Sequence, residues 1–482
     1  MRRIIFAPTL LAALAGCSLI PHYDRPDLPT ATDYPTGPAF TGRGAPSAGG
    51  VAAGDLGWRD FFVDPVLQDL IALSLANNRD LRVAAENVVA AYAQYQVQHA
   101  SLFPTIDVAG SANFERDAPG QEGSPTPLHI HAYSLGLSAA SYELDLFGKI
   151  RSLSQEAQEK YLSLAETRQS MQISLVASVA SEYLTWLADR DALRVSIQTA
   201  QGQQRSFDLT KLTLTQGTQT MLTLAQAEST LRTAQASVEQ YTRQVAQDLD
   251  QIVLLEGTTL PDGLQTRMMA RDGLAAEVAF PALPAGLPSD LLRRRPDIRA
   301  AEHTLLAANA DIGAARAAFF PSVTLTGSAG TASGSLRKLF GAGTASWMFE
   351  PQISVPIFDA GTNFANLDYD KIQKRIEIAD YEKAIQSAFH DVSDALAGLA
   401  TYTRQLDAEA KLVDADQRYY NIAKMRSDAG ADTYLNVLVA QSSLFSAQIN
   451  LVSLNLAEQQ NLVTLYKSLG GGWTDRVQPD PS

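Results

Sequence analysis

The side chains that could do chemistry are few and scattered. The six histidines are spread along a chain of 482 residues: His22, His99, His129, His131, His303 and His390. His129 and His131 are two residues apart, which places both on one face of a strand, and an exposed pair is favoured there over a metal site. No phosphate loop or nucleophile motif stands between a strand and a helix. The sequence therefore predicts no catalytic centre, no metal site and no bound cofactor.

Cys17 is the one cysteine, and the residues before it indicate a covalent modification. Two arginines precede an apolar run of about 13 residues, IIFAPTLLAALAG, which is too short to span a bilayer and ends at Cys17. This pattern resembles a bacterial lipoprotein signal. We therefore predict a signal peptide over residues 1–16 and a diacylglycerol and an N-acyl chain on Cys17. Ser18, rather than Asp, at the next position implies sorting to the outer membrane.

Composition and charge narrow the class of protein. Charged residues make up 19% of the chain, and hydrophobic residues 46%. These values are typical of a folded chain rather than a disordered one or a bundle of membrane helices. The formal net charge of −14 argues against nucleic acid as a partner and favours a solvated acidic surface.

An internal duplication organises the chain. NRDLRVAAENVVAAYAQYQVQHASLFPTIDVAGS, residues 78–111, aligns without a gap with RPDIRAAEHTLLAANADIGAARAAFFPSVTLTGS, residues 295–328, and 11 of the 34 positions are identical. A second gapless match joins residues 217–235 to 430–448 with eight identities in 19 positions. The offset between the copies is 217 residues in the first match and 213 in the second.

These matches divide the chain into segments. Residues 17–63, rich in proline and glycine, are predicted to form an acylated extended arm with no core of its own. Repeat 1 covers 64–257 and repeat 2 covers 291–470, with a connector over 258–290 between them. Residues 471–482 are a C-terminal tail. The arginines at 293–295 are interpreted as a solvated feature rather than an anion site.

Each repeat changes period at a Phe-Pro step, from Ala-rich helical spacing to strict alternation. Proline cannot continue a helix, so Pro104 and Pro321 each predict a joint from helix to strand. Near Ala139 and Ala140 the alternation flips, which indicates either a bulge or the exit of the strand from an apolar layer. Period two predicts four strands: 105–116, 129–147, 322–331 and 346–358.

Long proline-free segments follow the strands. The first would be about 100 Å long as one helix, which no compact globular domain needs. Leu224, Ala227 and Leu231 begin a coiled-coil seam that the last helix repeats from Val437. That helix also carries a second apolar stripe from Leu438, so it has two helical neighbours, as a closed ring of helices requires. The predicted helices are 149–215, 219–256, 361–427 and 433–469.

Four strands are too few to close a membrane barrel. Open edges are not tolerated in lipid, so the chain must oligomerise, and an interior wide enough to conduct favours three or more copies. An aromatic girdle is one interpretation of four side chains, and packing in a soluble sheet is the alternative: Phe114, Tyr133, Trp347 and Phe349.

Four features together carry a family resemblance: the lipoprotein signal, the duplicated order of elements, LLRRRPDIRAAEHTLLAANADIGAARAAFFPSVTLTGSAG over 291–330, and VPIFDAG over 355–361. The chain resembles the outer-membrane factor (TolC/OprM-like) family. Within this family of tripartite efflux systems the chain is most similar to the lipoprotein branch of NodT type. The resemblance implies a mixed α and β, mainly helical homotrimer. Its twelve-stranded transmembrane β-barrel, four strands per chain, would continue into a long periplasmic α-helical coiled-coil barrel with an equatorial belt at the connector.

The function that the resemblance implies is passive. The chain would be the outer-membrane exit duct for drugs and small toxic compounds, engaged by a periplasmic membrane-fusion adaptor and an inner-membrane RND-type pump. Type I protein secretion is a narrower alternative within the family. Two alternatives of other classes are a structural lipoprotein that tethers the envelope, which does not explain the strands, and a periplasmic enzyme, which lacks a convergent polar site.

The resemblance also implies sites at the periplasmic hairpin turns. The turns in LTQGTQT and DAGADTYLN would contact the adaptor through Gly217, Thr218, Gly430 and Ala431, and plain tight turns are the alternative. Related proteins close the aperture with acidic residues on the last helix, where this chain has Asn436 and Val439. Asp428 and Asp432 lie within a turn and could replace them. The predicted gate therefore consists of Asp428, Asp432, Asn436 and Val439, held by polar contacts with the preceding helical pair.

Overall fold

The computed structural model describes residues 18–31, 33–40, 56–117, 128–274, 280–281 and 295–473. Within these ranges the helices are α1 (Trp58–Phe61), α2 (Pro65–Asn77), α3 (Arg79–Ala100), α4 (Lys149–Thr215), α5 (Met221–Glu256), α6 (Asp262–Met269), α7 (Pro296–Ala317), α8 (Thr362–Asp428) and α9 (Tyr434–Ser468). The strands are β1 (Asp107–Asp117), β2 (Leu128–Leu144), β3 (Ser322–Ser333) and β4 (Ala345–Ser354). The predicted signal peptide, Cys17, Arg293 and Arg294, and the tail after residue 473 lie outside the described residues.

The chain folds into two compact units, and both repeats contribute to each. The first unit combines Met1–Asp27, Asn87–Leu164 and Ala301–Tyr381 and contains all four described strands. The second combines Leu28–Glu86, Ala165–Ala300 and Glu382–Ser482 and contains the turns between the long helices. Compaction therefore groups equivalent parts of the two repeats, whereas the predicted domain boundaries separate one repeat from the other along the chain.

Helix lengths repeat almost residue for residue. The helices α4 and α8 have 67 residues each, α3 and α7 have 22 each, and α5 and α9 have 36 and 35. At a rise of about 1.5 Å per residue, α4 and α8 are each about 100 Å long. The duplication in the sequence is thus a duplication of the structure.

Each repeat is closed by one equivalent hydrogen bond. In repeat 1 the Asn78 amide donates to the carbonyl of Leu255 at 2.9 Å. In repeat 2 the Arg295 guanidinium donates to the carbonyl of Ser468 at 3.1 Å. Positions 78 and 295 differ by 217 residues, and 255 and 468 by 213, which are the two offsets of the sequence matches. In both repeats the helix that leads to the first strand, α3 or α7, therefore begins against the end of the last helix.

Arg295 corrects one interpretation. Its side chain is 11% exposed and pairs with Asp297 and Asp391, so it is not a solvated residue. The Ser468 carbonyl and the two carboxylates together occupy the guanidinium. A guanidinium can donate up to five hydrogen bonds in a fixed fork, and this explains how one side chain joins three acceptors.

The second unit has a buried aromatic and polar core at the end of the predicted arm. Phe61 is fully buried and stacks on Tyr466, with ring centroids 4.0 Å apart. Asp64 accepts hydrogen bonds from the Val66 amide and the Tyr183 hydroxyl and pairs with Arg271. The prediction that the arm is extended up to residue 63 is therefore wrong at its end, because Trp58–Phe61 is helical and its aromatic neighbours are core residues.

The connector and the strand ends also differ from the prediction. The connector contains a helix, α6, whose Leu264 and Met268 are buried. The strand predicted over 346–358 ends at Ser354, because Pro356 has no N–H to donate to a ladder. The strand predicted to end at Phe147 ends at Leu144, just before Asp145 caps α4 through the amides of its first turn.

The four strands form one antiparallel sheet in the order β1-β2-β3-β4. A register shift in β2 lies between Ala139 and Tyr142, where three steps along β2 match two along β3, and Ser141 has a φ of 49°. This confirms a bulge near the predicted flip. Leu137 and Tyr142 are five residues apart, so in a regular strand they would lie on opposite faces. The extra residue of the bulge places both on the same face, because side chains alternate with period two.

Glu256, the last residue of α5, is fully buried, and neither of its carboxylate oxygens has a hydrogen-bond partner. Its equivalent in repeat 2 is Leu469, also buried. Burial raises the pKa of Glu256 to about 8. The carboxyl is therefore protonated in the folded protein at neutral pH, in a position that repeat 2 fills with an apolar side chain.

Glu256→Gln should reduce the pH dependence of stability. In the unfolded chain this carboxyl ionises near pH 4.5, so unfolding releases a proton between about pH 4.5 and 8 and stability falls as pH rises through that window. The loss amounts to a few kcal/mol at most, about 1.4 kcal/mol per pH unit. Thermal unfolding in detergent at pH 5.5 and 8.5 measures it. Glu239→Gln, on the exposed face of the same helix, is the control. Equal pH dependence in wild type and Glu256→Gln would contradict the assignment.

Candidate membrane sheet, hairpin turns and gate

The strand register gathers apolar residues of all four strands on one face of the sheet. One row across that face consists of Val108, Leu137, Ala329 and Trp347. The neighbouring row on the opposite face consists of Asp107, Ser138, Ser328 and Met348. Alternation along single strands predicted two unlike faces, and the register shows that the faces agree between strands.

The apolar face is uncovered. Val108 is 73% exposed and Trp347 is 79% exposed, and Phe349 and Ile353 are also exposed. Exposing apolar surface to water costs about 25 cal/mol per Å², so a continuous face of this kind is typical of a surface for lipid or protein. The opposite face is polar, and on it the hydroxyls of Ser111 and Ser134 are hydrogen-bonded across the strands at 2.8 Å.

The predicted turn residues lie at equivalent places in two hairpins of the second unit. Gly217 has a φ of 77° and Gly430 a φ of 71°. The amides of Gly217 and Thr218 donate to the carbonyls three and five residues before them, and those of Gly430 and Ala431 do the same. This pair of bonds is the Schellman motif, which needs a left-handed residue that glycine supplies without strain. All four predicted adaptor-contact residues are exposed, and nothing lies within 4 Å of a Cβ built on either glycine.

The predicted gate residues surround the second turn. Asp432 accepts hydrogen bonds from the Thr433 amide and the Asn436 side chain, both at 2.7 Å. Arg426 lies 3.3 Å from its other oxygen, and the Thr433 amide is the largest of the contacts that lower the pKa of Asp432. Asp428 accepts from Lys424 at 2.8 Å. Each carboxylate is thus compensated by a cation on α8.

Val439 lies on α9 three residues beyond Asn436 and is 49% exposed. Asn436 and Val439 are three residues apart on one face of α9, and Asp432, which precedes the helix by two residues, is hydrogen-bonded to Asn436. The contacts of Asp428 and Asp432 given above lie within their own hairpin. The structure thus joins Asp432 to Asn436, with Val439 one turn further along α9 and Asp428 at the last residue of α8.

Tyr434, which was not predicted as a site residue, lies against the preceding helical pair, and its buried hydroxyl has no hydrogen-bond partner among the described residues. Its ring packs with Tyr420 against buried Ala423 and Val437. Its hydroxyl lies beside the side chains of Ser206 and Thr210 on α4, and burial raises its pKa. The position of Tyr434 next to the turn could have indicated a site residue from the sequence. Its proximity to Thr210, 224 residues earlier, could not have been predicted.

An acidic group on α4 and α5 was also missed. Glu182 and Asp189 are seven residues apart on one face of α4, and both act on the carboxyl of Asp248 on α5. Burial, with the charges of Asp189 and Glu182, raises the pKa of Asp248 to about 7. No cluster able to hold a metal ion exists among the residues that the structure describes.

The family model for outer membrane efflux proteins matches residues 70–258 and 287–471, which include all four strands and the long helices of both repeats. The chain belongs to the outer membrane efflux protein family. A second model, for the lipid attachment site of prokaryotic membrane lipoproteins, matches residues 1–18.

Known relatives agree along almost the whole chain. The toluene efflux pump outer membrane protein TtgC of Pseudomonas putida is 47% identical over 96% of this chain and 94% of its own. The cation efflux system protein CusC of Escherichia coli is 38% identical over 96% and 97%. The open state of the MtrE outer membrane channel of Neisseria gonorrhoeae is 36% identical, with a TM-score of 0.84 over 96% of this chain and 100% of that one.

The efflux protein is therefore an outer-membrane lipoprotein channel with a periplasmic helical domain, and not an enzyme. Among the described residues one helix, α9, is long and apolar enough to cross a membrane by length and composition alone. Its apolar residues instead form the two predicted stripes: Val437, Ala440, Leu444 and Ala447 of the seam are buried, and so is Leu438 of the second. These stripes explain the apolar composition as helix packing.

Deleting Ser141 should leave membrane insertion of the sheet intact. Without the extra residue, Ala139 and Tyr142 are two residues apart, so a regular strand keeps Tyr142 and Leu144 on the apolar face and in register with β3. We expect the wild-type amount of detergent-extractable protein in the outer membrane, measured by immunoblot of fractionated membranes. Ser141→Gly keeps the residue count and suits the positive φ, so it should also match wild type. A several-fold loss of the deletion variant would contradict the assignment of Ser141 to the bulge.

Proposed function

We propose that the efflux protein is the exit duct of a tripartite pump and carries drugs and small toxic compounds from the periplasm to the exterior. The observation that carries the proposal is the sheet with one exposed apolar face and one polar face, followed in each repeat by helices about 100 Å long. TtgC is named for toluene efflux and CusC for cation efflux. Toluene and cations are chemically unlike, and their export through related proteins supports a duct that does not itself select the substrate.

The proposed assembly is a homotrimer. Within the part of the chain that the structure describes, β1 and β4 each pair on one side only, and in lipid both edges must find partners. Pairing β1 of one copy with β4 of the next closes a ring, and three copies supply twelve strands. Two copies would supply eight, whose interior side chains fill.

Cys17 is proposed to be acylated, because the lipid-attachment match ends one residue beyond it. The acyl chains would anchor the mature N-terminus in the inner leaflet of the outer membrane, where several chains together give stable binding. Outer-membrane lipid is then a partner of both the anchor and the apolar face of the sheet.

The two hairpin turns are proposed to contact a periplasmic membrane-fusion adaptor, which links the channel to an inner-membrane pump of RND type. Their exposure and their identical backbone geometry support this. Two equivalent turns per chain would offer a trimer six similar docking positions, arranged in three pairs.

Ala431→Arg should abolish export without loss of the channel. The position is exposed, so a long side chain fits the fold, but it would obstruct a docked partner. We expect a strain that depends on this channel to accumulate a fluorescent pump substrate at least several-fold more than with wild type. Ala246→Arg, on the exposed surface of α5, is the control. Wild-type export by Ala431→Arg would exclude docking at this turn. If a strain that lacks the channel accumulates no more of the fluorescent substrate than wild type, the proposed duct itself is excluded.

The closed gate is proposed to lie at Asp428, Asp432, Asn436 and Val439. Asp432 holds both the start of α9 and Arg426 of α8, so its removal loosens the hairpin at the aperture.

Asp432→Ala should therefore raise single-channel conductance in planar bilayers above that of wild type. Asp407→Ala removes an exposed ion pair with Lys411 within α8, away from the turn, and should leave the conductance unchanged. A wild-type conductance of the Asp432 variant would count against the proposed gate.

A further inference from the structure

The segment directly after Cys17 lies along one stripe of α7 in the first unit. The Arg316 guanidinium donates to the carbonyl of Leu19 at 3.2 Å, and the Asn309 amide donates to that of Pro21 at 2.9 Å. Between these positions Gly313 leaves no room for a side chain. A Cβ there would lie 2.5 Å from Cγ1 of Ile20, 2.7 Å from Oγ of the buried Ser152 on α4 and 3.0 Å from Cα of Ile20. The backbone of this segment is therefore in van der Waals contact with the helix.

A charged clamp holds the other end of the segment. The Arg25 guanidinium donates from Nε and Nη2 to the two oxygens of Glu302, both at 2.8 Å, and the Tyr23 hydroxyl donates to Oε1 at 3.2 Å. The Glu302 side chain is only 13% exposed. Bidentate pairs of this kind are strong and orient both partners, and loss of Arg25 would leave a carboxylate largely out of water without its cation.

The four contact positions on α7 share one face. Positions 302, 309, 313 and 316 are separated by seven, four and three residues, which is the spacing of a single helical stripe. As the numbering of the segment rises from 19 to 25, that of its partners on α7 falls from 316 to 302. We call residues 19–25 the strap, and it runs antiparallel to α7 over about 21 Å of the helix.

The strap decides where the N-terminus lies. Leu19 is bound to the last turn of α7, which ends at Ala317, and β3 begins five residues later at Ser322. Cys17 precedes Leu19 by two residues and is at most about 7 Å from it. A released strap would leave residues 17–27 as a tether of up to about 35 Å.

We propose that α7 is the docking site of the chain's own lipidated N-terminus, and that the strap holds the lipid anchor beside the foot of β3 so that anchor and sheet enter the membrane together. This inference rests on the proposed acylation of Cys17. The physical gain is a high effective concentration of the sheet at the membrane surface, which falls as the tether lengthens.

The test measures insertion of the sheet in intact cells. Leu336, in the turn between β3 and β4, is 62% exposed. In Leu336→Cys the reporter is the only free thiol of the acylated protein, and a membrane-impermeant maleimide labels it if the turn reaches the exterior. Incorporation of radioactive palmitate, measured on the same samples, reports acylation separately.

Two variants release the strap in different ways. Arg25→Gln removes the clamp, and Arg316→Gln removes the bond to the carbonyl of Leu19. Both should incorporate palmitate normally and show several-fold less labelling than the reporter alone. Arg232→Gln, which breaks an exposed ion pair on α5, is the matched control and should label fully.

A third variant separates positioning from folding. Six residues, Gly-Ser-Gly-Ser-Gly-Ser, inserted between Ser18 and Leu19 keep every contact of the strap with α7 but lengthen the tether by up to about 20 Å. Reduced labelling of this variant is the expected result. Full labelling of the insertion variant, or of both release variants, would overturn the proposal. If the reporter protein with an unmodified strap incorporates no palmitate, acylation of Cys17 is refuted, whatever the maleimide labelling shows.

Discussion

The two unpaired sheet edges constrain everything else in this molecule. A four-stranded antiparallel sheet with an exposed apolar face is unstable in water, and in lipid its edge N–H and C=O groups have no water to bond to. In the proposed ring, β1 of one copy pairs with β4 of the next, which would satisfy both edges at once and turn the polar face inwards. The same ring would place the long helices of every copy side by side, so a single requirement of hydrogen bonding would account for both the pore and the helical duct.

The duplication makes such a ring possible. Each repeat supplies two strands and a long hairpin. In each, the residue directly before the helix that leads to the first strand is bonded to the end of the last helix: Asn78 in repeat 1 and Arg295 in repeat 2. The repeats have diverged where their surroundings differ. Repeat 1 ends on the buried acid Glu256 and repeat 2 on Leu469, and only the second turn carries the carboxylates Asp428 and Asp432.

Much of the fold could be predicted from the sequence because it depends on local signals. Proline and the change of period at Phe103-Pro104 and Phe320-Pro321 mark the joints, and the long helices begin and end within about two residues of their predicted bounds. What could not be predicted depends on tertiary packing. The helix α1 forms because Phe61 stacks on Tyr466, and Arg295 is buried because Asp391 and the end of α9 surround it.

The sites divide in the same way. The glycines of the turns could be found from sequence, because a left-handed residue between two long helices has few alternatives. The environments of Asp432, Tyr434 and Asp248 could not, because each depends on partners from another segment or on burial. The strap was missed because its residues show no periodicity, and its order comes from the stripe on α7.

The central claim is that several copies close one sheet into a conducting ring. Native mass spectrometry of the purified, lipidated protein in detergent, with planar-bilayer recordings of the same sample, tests it most directly. The account predicts a mass of three chains and a small, gated conductance. A monomer or dimer without conductance would contradict it, and the lipid anchor and long helices would then belong to a structural tether rather than to a pore.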